Sequence, residues 1–582
     1  MPDIITMKKF PCLLLIPFLT LSSCFKEPSA ELIIINGKVY TFQWPDPDLD
    51  GNPSPGAPFA NGAWHPEAQA IAITGKLISN IGTTAEIQKL AGENTEIIDA
   101  EGGTIIPGLV DSHTHVINLG QNLELVDLTG VETEAAAVAL IVETSKNIPA
   151  GEWIIGKGWD EGAWASQYPD KKMLSEMVPK HPVLMLSLHS FASWANQMAL
   201  DNAGITKDTP SPPGGEVVKD ENNEPTGLFL NKGSDIIEAA IPQPANQQLK
   251  EYFLAGLIEM AESGYVAIHE AGVNRKLLTA IMELDKEGKL PIRVYAMLSG
   301  DDEDLLSEWK QRGPYESASG MLIINSVKAF YDGALGSRGA KLLEDYSDMP
   351  GHKGTSGLDY RFKPDILAEM STAGFQLCIH AIGDAGNRQT LDFLEVLIEA
   401  NPEIKNLRNR IEHAQVLHAE DFQRLAELNI IASMQPSHAV EDMVWAEDRV
   451  GHERITGAYA WRTLRKQGTH IIFNSDLTGT DHNIFYGLHS SITRQNKSFE
   501  PEGGWHPEEA LRPEEALRAF TTWAAWSVFR EDSTGILAPG KWADISVLTI
   551  DPFQTGNSDP SALLSGEVYA TIVNGEIVFR KK

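Results

Sequence analysis

Eight short apolar runs follow residue 105, and stretches of helical periodicity separate most of them. The runs are 105–115 (IIPGLVDSHTH), 265–271 (YVAIHEA), 292–298 (IRVYAML), 322–332 (LIINSVKAFYD), 375–384 (FQLCIHAIGD), 410–415 (RIEHAQ), 430–436 (IIASMQP) and 470–476 (HIIFNSD). Seven are rich in β-branched residues, as strands buried on both faces are. Residues 364–374, 388–400 and 419–429 carry the intervening helical pattern. Strand and helix alternating eight times predict an α/β fold of one kind, a (β/α)8 barrel.

The first two runs lie about 150 residues apart, far more than a crossover helix needs. Residues 118–250 are therefore expected to be an insertion after the first barrel strand, within a barrel spanning 107–532. The two ends resemble each other. Segments 31–42 and 70–82 read as alternating hairpin strands with Asn-Gly and Thr-Gly turns, and segments 542–551 and 570–579 read likewise. A β-sandwich composed of 31–106 and 533–582 is the economical expectation. Residues 44–56 (WPDPDLDGNPSPG) open like a calcium loop, with Asp46, Asp48 and Asp50. Ala57 stands where such a loop places its bidentate glutamate, which favours a plain acidic loop.

The strand ends carry the chemistry. In a barrel of this kind the C-terminal rim bears the active site. The first run ends in His113 and His115, which share a face because side chains two apart in a strand point the same way. The fourth run holds Lys328, the fifth His380, the sixth His413 and the eighth Asp476. Singly, each has a structural explanation: a hydrogen-bonded core histidine, an ion-pair lysine, a capping aspartate. Together at one rim, imidazoles and a carboxylate suit a borderline divalent metal such as zinc. Lys328 cannot ligate as an ammonium. Buried beside metal, its neutral amine is favoured, and that amine can add carbon dioxide to give an anionic carbamate able to bridge two ions.

On these motifs, together with 156–164 (GKGWDEGAW), 326–340 (SVKAFYDGALGSRGA), 379–388 (IHAIGDAGNR), 474–480 (NSDLTGT) and 535–548 (GILAPGKWADISVL), the sequence resembles the amidohydrolase superfamily, and within it the amidohydrolase-3 or YtcJ-like branch. The resemblance implies a distorted TIM-like metal barrel beside a split sandwich. It implies two divalent metal ions, zinc foremost. His113, His115 and Asp476 would hold the deeper ion, His380 and His413 the second, and N-carboxylated Lys328 would bridge them. It also implies hydrolysis of a C–N bond, in an amide or N-substituted formamide, by a bridging hydroxide with Asp476 as the proton carrier. The same site could serve a lactonase, esterase or phosphotriesterase-like activity, and a non-catalytic surface binding protein is the third reading. Trp159, His189, His269, Tyr331 and Arg338 are the substrate-contact candidates. Trp164 and Trp194 could join Trp159 in a lid or simply form the insertion's own core. Arg338 could clasp a substrate carboxylate or pair with an acid of the chain itself. His482 is a further substrate or supporting group.

The N-terminus reads as an address. Met7-Lys8-Lys9 is basic, Phe10–Leu19 is apolar but too short to span a membrane, and Leu21-Ser22-Ser23-Cys24 resembles a lipobox. Residues 1–24 are thus expected to be a lipoprotein-type signal, with Cys24 lipidated and the protein exported to the bacterial cell envelope, on the periplasmic or outer-membrane face. Of three cysteines only Cys378 would remain, as a core residue, so an internal disulfide is excluded in the processed chain. A formal net charge of −33 disfavours nucleic acid and anionic lipid surfaces. The expected partners are a small-molecule substrate, the membrane through the lipid alone, and a second copy in a homodimer.

Overall fold

The computed structural model describes residues 29–582 apart from 161, 163, 165–167, 189–190, 356 and 358–360. The signal segment 1–24 with Cys24, and His189, lie outside the described residues. Among the described residues no helix is long and apolar enough to cross a membrane.

Eight strands form one parallel sheet in sequential order: β1 (Leu109–Thr114), β2 (Tyr265–Val273), β3 (Arg293–Ser299), β4 (Leu322–Phe330), β5 (Gln376–Ala381), β6 (Arg410–His413), β7 (Ile431–Met434) and β8 (Ile471–Phe473). Each pairs in parallel with its neighbour. The sheet curls until β8 meets β1. There the Ser112 hydroxyl donates to the Phe473 carbonyl at 2.7 Å, and a parallel bridge joins Thr114 to Leu477. The (β/α)8 barrel read from the sequence is the observed fold.

The run 105–115 is not one strand, as the sequence suggested. Thr104–Pro107 belongs to a different sheet, and Gly108 is the joint. A Cβ at Gly108 would lie 2.3 Å from the Val266 side chain, so only glycine lets the chain pass from the flanking sheet into the barrel here.

Two sheets flank the barrel. One has the order Leu77–Gly82, Ala70–Thr74, Ala30–Ile35, Ala91–Asp99. The other has the order Lys38–Val39, Thr104–Pro107, Ile545–Leu548, Val568–Val573, Glu576–Arg580. Leu32, Ile34, Ile71 and Ile73 of the first pack with Ile105, Ile545, Val547 and Ile572 of the second in one buried cluster. Thr74-Gly75 and Asn574-Gly575 make the expected hairpins. Asn36-Gly37 does not. Both edges of Ala30–Ile35 are already paired, to Ala70–Thr74 and Ala91–Asp99, so the chain crosses at this turn into the second sheet.

Between β1 and β2, residues 126–231 contribute a six-stranded sheet with its own core. In the loop 44–56, Asp46 pairs with Arg518 at 2.9 Å, Asp50 with Lys466 at 3.5 Å, and Asp48 accepts N–H bonds within the loop. The three carboxylates are thus engaged separately.

Candidate metal centre

A cavity of about 380 Å³ opens at the C-terminal rim of the barrel. Its floor brings together all six groups singled out from the strand ends: His113, His115, Lys328, His380, His413 and Asp476. His113 Nε2 lies 3.1 Å from Lys328 Nζ and 3.6 Å from Asp476 Oδ1, and His115 Nε2 lies 3.5 Å from the same oxygen. The His380 and His413 rings are 4.5 Å apart, centre to centre.

Buried partners orient these side chains. Glu412, adjacent to His413 in β6, takes the Nδ1–H of His113 at 2.6 Å. A carboxylate only accepts, so Nδ1 carries the proton and Nε2 presents a lone pair. Burial opposes a charged Glu412, but the Arg410 guanidinium 2.8 Å away outweighs it and holds the carboxyl well below its ordinary range. His413 Nδ1 meets the Gln435 amide oxygen at 3.0 Å, whose own NH2 donates to Asn474, so Nε2 is again left as the free nitrogen. Asp111 accepts from the Ser475 hydroxyl at 2.6 Å and thereby pins β1 to the turn that carries Asp476. Asp332 accepts the backbone N–H groups of Lys341, Ile382 and Gly383 at 2.8–2.9 Å and lies 3.6 Å from His380 Nε2. Glu270 accepts from the Val116 and Ile117 N–H groups at the start of α1 (Val116–Leu123), fixing the backbone next to His115. Three residues at the site, His413 (φ 76°), Ala414 (φ 43°) and Asp476 (φ 50°), sit in the left-handed region without being glycine. Such strain persists where surrounding structure over-determines it.

Burial, with the Lys328 charge second, lowers His113 to about 4 and His380 to about 3. Burial also lowers Lys328 from its ordinary range. Neutral imidazoles and a readily deprotonated amine are the forms that ligate metal or add carbon dioxide. Donor atoms of His113, His115 and Asp476 lie within 4.8 Å of one another, as do those of His413, His438 and Asp476. His380 Nε2 is buried with no hydrogen-bond partner. The donor set fits divalent cations.

The substrate-contact candidates fare differently. Trp159 is fully buried, its indole N–H donating to the Met185 carbonyl, and it packs with Trp164 and Trp194 in the core of the insertion. The lid reading gives way to the packing one. His269 is buried beneath the rim, where its Nδ1 accepts from Arg410 at 3.0 Å, so it does not reach the cavity. Its neighbour Glu270 is spent on the first N–H groups of α1. Tyr331 turns away to Gln389 and Phe362, and Phe330 lines the cavity instead. Arg338 is committed to Asp348 through two bonds of 2.7 and 3.0 Å, the internal-pair alternative. His482 faces Glu259 at 3.5 Å and lines a separate cleft. Cys378 is buried in the barrel core. The residue that sequence reading missed is His438, on α2 (Pro436–Asp442), 3.9 Å from Asp476 Oδ2. Its signal was present in the spacing of His438, Glu441, Asp442 and Trp445, which all line the cavity.

Known proteins resemble this chain in sequence and in fold. The sequence profile of the amidohydrolase family matches residues 96–579. YtcJ of Bacillus subtilis, which carries an amidohydrolase name, is 30% identical over 88% of this chain and 96% of its own. An N-substituted formamide deformylase of Arthrobacter pascens is 25% identical over 88% of this chain and 95% of its own. Among solved structures, an uncharacterized metal-dependent hydrolase from Pyrococcus furiosus superposes with a TM-score of 0.70 at 26% identity, covering 90% of this chain and 99% of that one.

Proposed function

The chain belongs to the amidohydrolase family, and from that premise we propose that it hydrolyses a carbon–nitrogen bond, in an amide or an N-substituted formamide. The observation that carries this reading is the convergence of six metal-suited side chains from five different strand ends on one cavity. The formamide deformylase among the relatives supports the bond type.

In this reading two divalent ions, zinc foremost, would occupy the site, one held by His113, His115 and Asp476 and the other by His380 and His413. Lys328 would serve as a further ligand once its neutral Nζ had added carbon dioxide, with an N–C bond formed and one proton released to solvent. Bound divalent metal supplies Lewis acidity and brings the pKa of water near neutrality. Every other task falls to the chain. Glu412 and Gln435 hold the tautomers of His113 and His413 so that each Nε2 faces the site. Asp476 accepts the proton of the attacking water on its carboxylate and returns it to the departing nitrogen. The apolar wall of Phe330, Leu335 and Ile382 limits competing water. Lipid attachment at Cys24 and export to the cell envelope complete the proposal, motivated by the lipobox-like segment; loss of palmitate labelling in Cys24→Ser checks it.

The reaction is tested with matched formamide, amide, lactone and phosphotriester substrates at equal metal loading. Amide or formamide turnover should exceed ester turnover. Ester turnover far above amide turnover would contradict the assignment.

A further inference from the structure

Two segments of chain build walls of the cavity and meet at one point. Residues 333–355, after β4, supply Ala334, Leu335 and Gly336. Residues 436–457, after β7, supply His438 and Trp445. A Cβ built on Gly336 would lie 3.3 Å from both Cη2 and Cζ2 of the Trp445 indole, closer than ordinary van der Waals contact. Gly336 is not in the left-handed region, so the reason for glycine here is space. The indole rests on bare main chain.

Arg449 braces that contact. It lies in α3 (Ala446–Arg454), with its guanidinium carbon 5.6 Å from the centre of the Trp445 ring. Its Nε donates to the Gly336 carbonyl at 3.3 Å and its Nη1 to the Asp348 carboxylate. Asp348 accepts from Arg338 as well, at 2.7 and 3.0 Å. The main chains are joined too. The Ser347 N–H donates to the Arg449 carbonyl at 2.9 Å, and Arg454 donates to the Asp345 carbonyl at 2.7 Å. Two arginines sharing one carboxylate thus clamp the loop that carries Gly336 to the helix that follows Trp445. A bidentate pair of this kind fixes geometry as well as charge.

The contact stands at the far end of the cavity from the ligand candidates. His438 lies 3.9 Å from Asp476 Oδ2. Trp445, at i+7, is a rise of about two helical turns, roughly 10 Å, further on. Apolar Phe330, Leu335 and Ile382 line the same cavity. A carbonyl held over His113, His115 and Asp476 therefore has room for a substituent of limited length before it meets the indole.

We propose that the Trp445 indole, seated on Gly336 and clamped through Arg449, Asp348 and Arg338, is the end wall that sets how long a substituent the substrate can carry. Trp445 is then a specificity-determining residue of the site. This rests on the hydrolytic reading above. In a formamide the acyl half carries only hydrogen, so the amine substituent is the part that must fit. A single ring is accepted. A second ring in line with the first runs into the indole and is refused.

The test uses the full chain supplemented with zinc and two rigid substrates, N-benzylformamide and N-(4-phenylbenzyl)formamide. The wild type should favour the first in kcat/KM by at least about tenfold. Trp445→Ala should shrink that preference by about tenfold, through a lower KM for the longer substrate. Trp445→Phe, still aromatic but smaller, should give a weaker form of the same shift should alanine disturb the fold. Asp348→Asn removes the anion that Arg338 and Arg449 share and should move the preference the same way. A role confined to folding would change both substrates alike. Calorimetric binding of the product amines, benzylamine and 4-phenylbenzylamine, to wild type and Trp445→Ala reads the same limit without turnover. Equal handling of the two substrates by the wild type, or a preference unmoved in Trp445→Ala or in Asp348→Asn, overturns the end wall and leaves the reaction standing. An amine size limit relieved in Trp445→Ala with neither formamide hydrolysed supports the end wall and overturns the reaction.

Discussion

Glu412 shows how a residue that touches neither substrate nor metal can decide whether the metal is held. It is fully buried between the Arg410 guanidinium and His113 Nδ1, and its acceptor-only carboxylate fixes which imidazole nitrogen is free. Glutamine at 412 keeps the volume but can offer either an acceptor or a donor to Nδ1. We expect Glu412→Gln to weaken metal binding by about 10- to 100-fold in competition with a chelator, with the circular-dichroism spectrum unchanged; unaltered affinity would show that His113 is oriented by other means. Glu270 makes a different prediction. Burial pushes its carboxyl up to about 7 from an ordinary 4.5. The folded state therefore holds a proton there that the unfolded chain has released, and the stability from this group is lost as pH rises through 7. Glu270→Gln stays neutral at every pH. The gap in Tm by which the metal-free wild type exceeds this variant should narrow or reverse between pH 5 and pH 8, a relative gain of up to about 3 kcal/mol for the variant. A gap independent of pH would refute the raised carboxyl.

At the scale of elements, the strand ends were legible in the sequence and the walls of the cavity were not. Each ligand candidate closes a run of strand pattern, and a parallel barrel puts all such ends on one rim, so pattern alone predicted their meeting. The substrate side is built from loops and helices whose polar residues look like solvent-facing ones. His438, Glu441, Asp442 and Trp445 have helical spacing, but a polar stripe after Pro436 reads as surface until the barrel places it against Asp476. The tryptophans misled for the converse reason: an indole in a glycine-rich motif can line a pocket or fill a core, and Trp159 does the latter. Asn36-Gly37 reads as a hairpin turn, yet pairing on both edges of the preceding strand forces a crossing that no local rule reveals. The joint between barrel and flanking sheets is similarly invisible along the chain. Arg293, at the start of β3, pairs with Asp544 through bonds of 2.7 and 2.9 Å, both residues being buried. Removing one partner leaves a buried charge, so Arg293→Ala should cost about 3–5 kcal/mol in denaturant unfolding. The double variant Arg293→Met/Asp544→Leu should recover much of that. Equal losses in single and double variants would contradict the argument.

At the scale of the whole molecule, residues drawn from positions 113 to 476 converge only because the barrel closes, and closure depends on a few bonds between its first and last strands. The Asp476 N–H donates to the His113 carbonyl at 3.1 Å and the His115 N–H to the Leu477 carbonyl at 3.0 Å, so the seam of the barrel and the metal centre are one place. The flanking sheets, drawn from both ends of the described chain, hold that seam from below: the Gly108 N–H donates to the Asp544 carbonyl just before β1 begins. Lys328 is the member whose role is least like its usual chemistry, and the account stands or falls with it. The direct measurement is a metal count by inductively coupled plasma mass spectrometry on zinc-supplemented protein, wild type beside Lys328→Ala. The account predicts near two ions per chain in the wild type and a sharp fall in the variant with its fold retained. Equal metal content in the two proteins would contradict it.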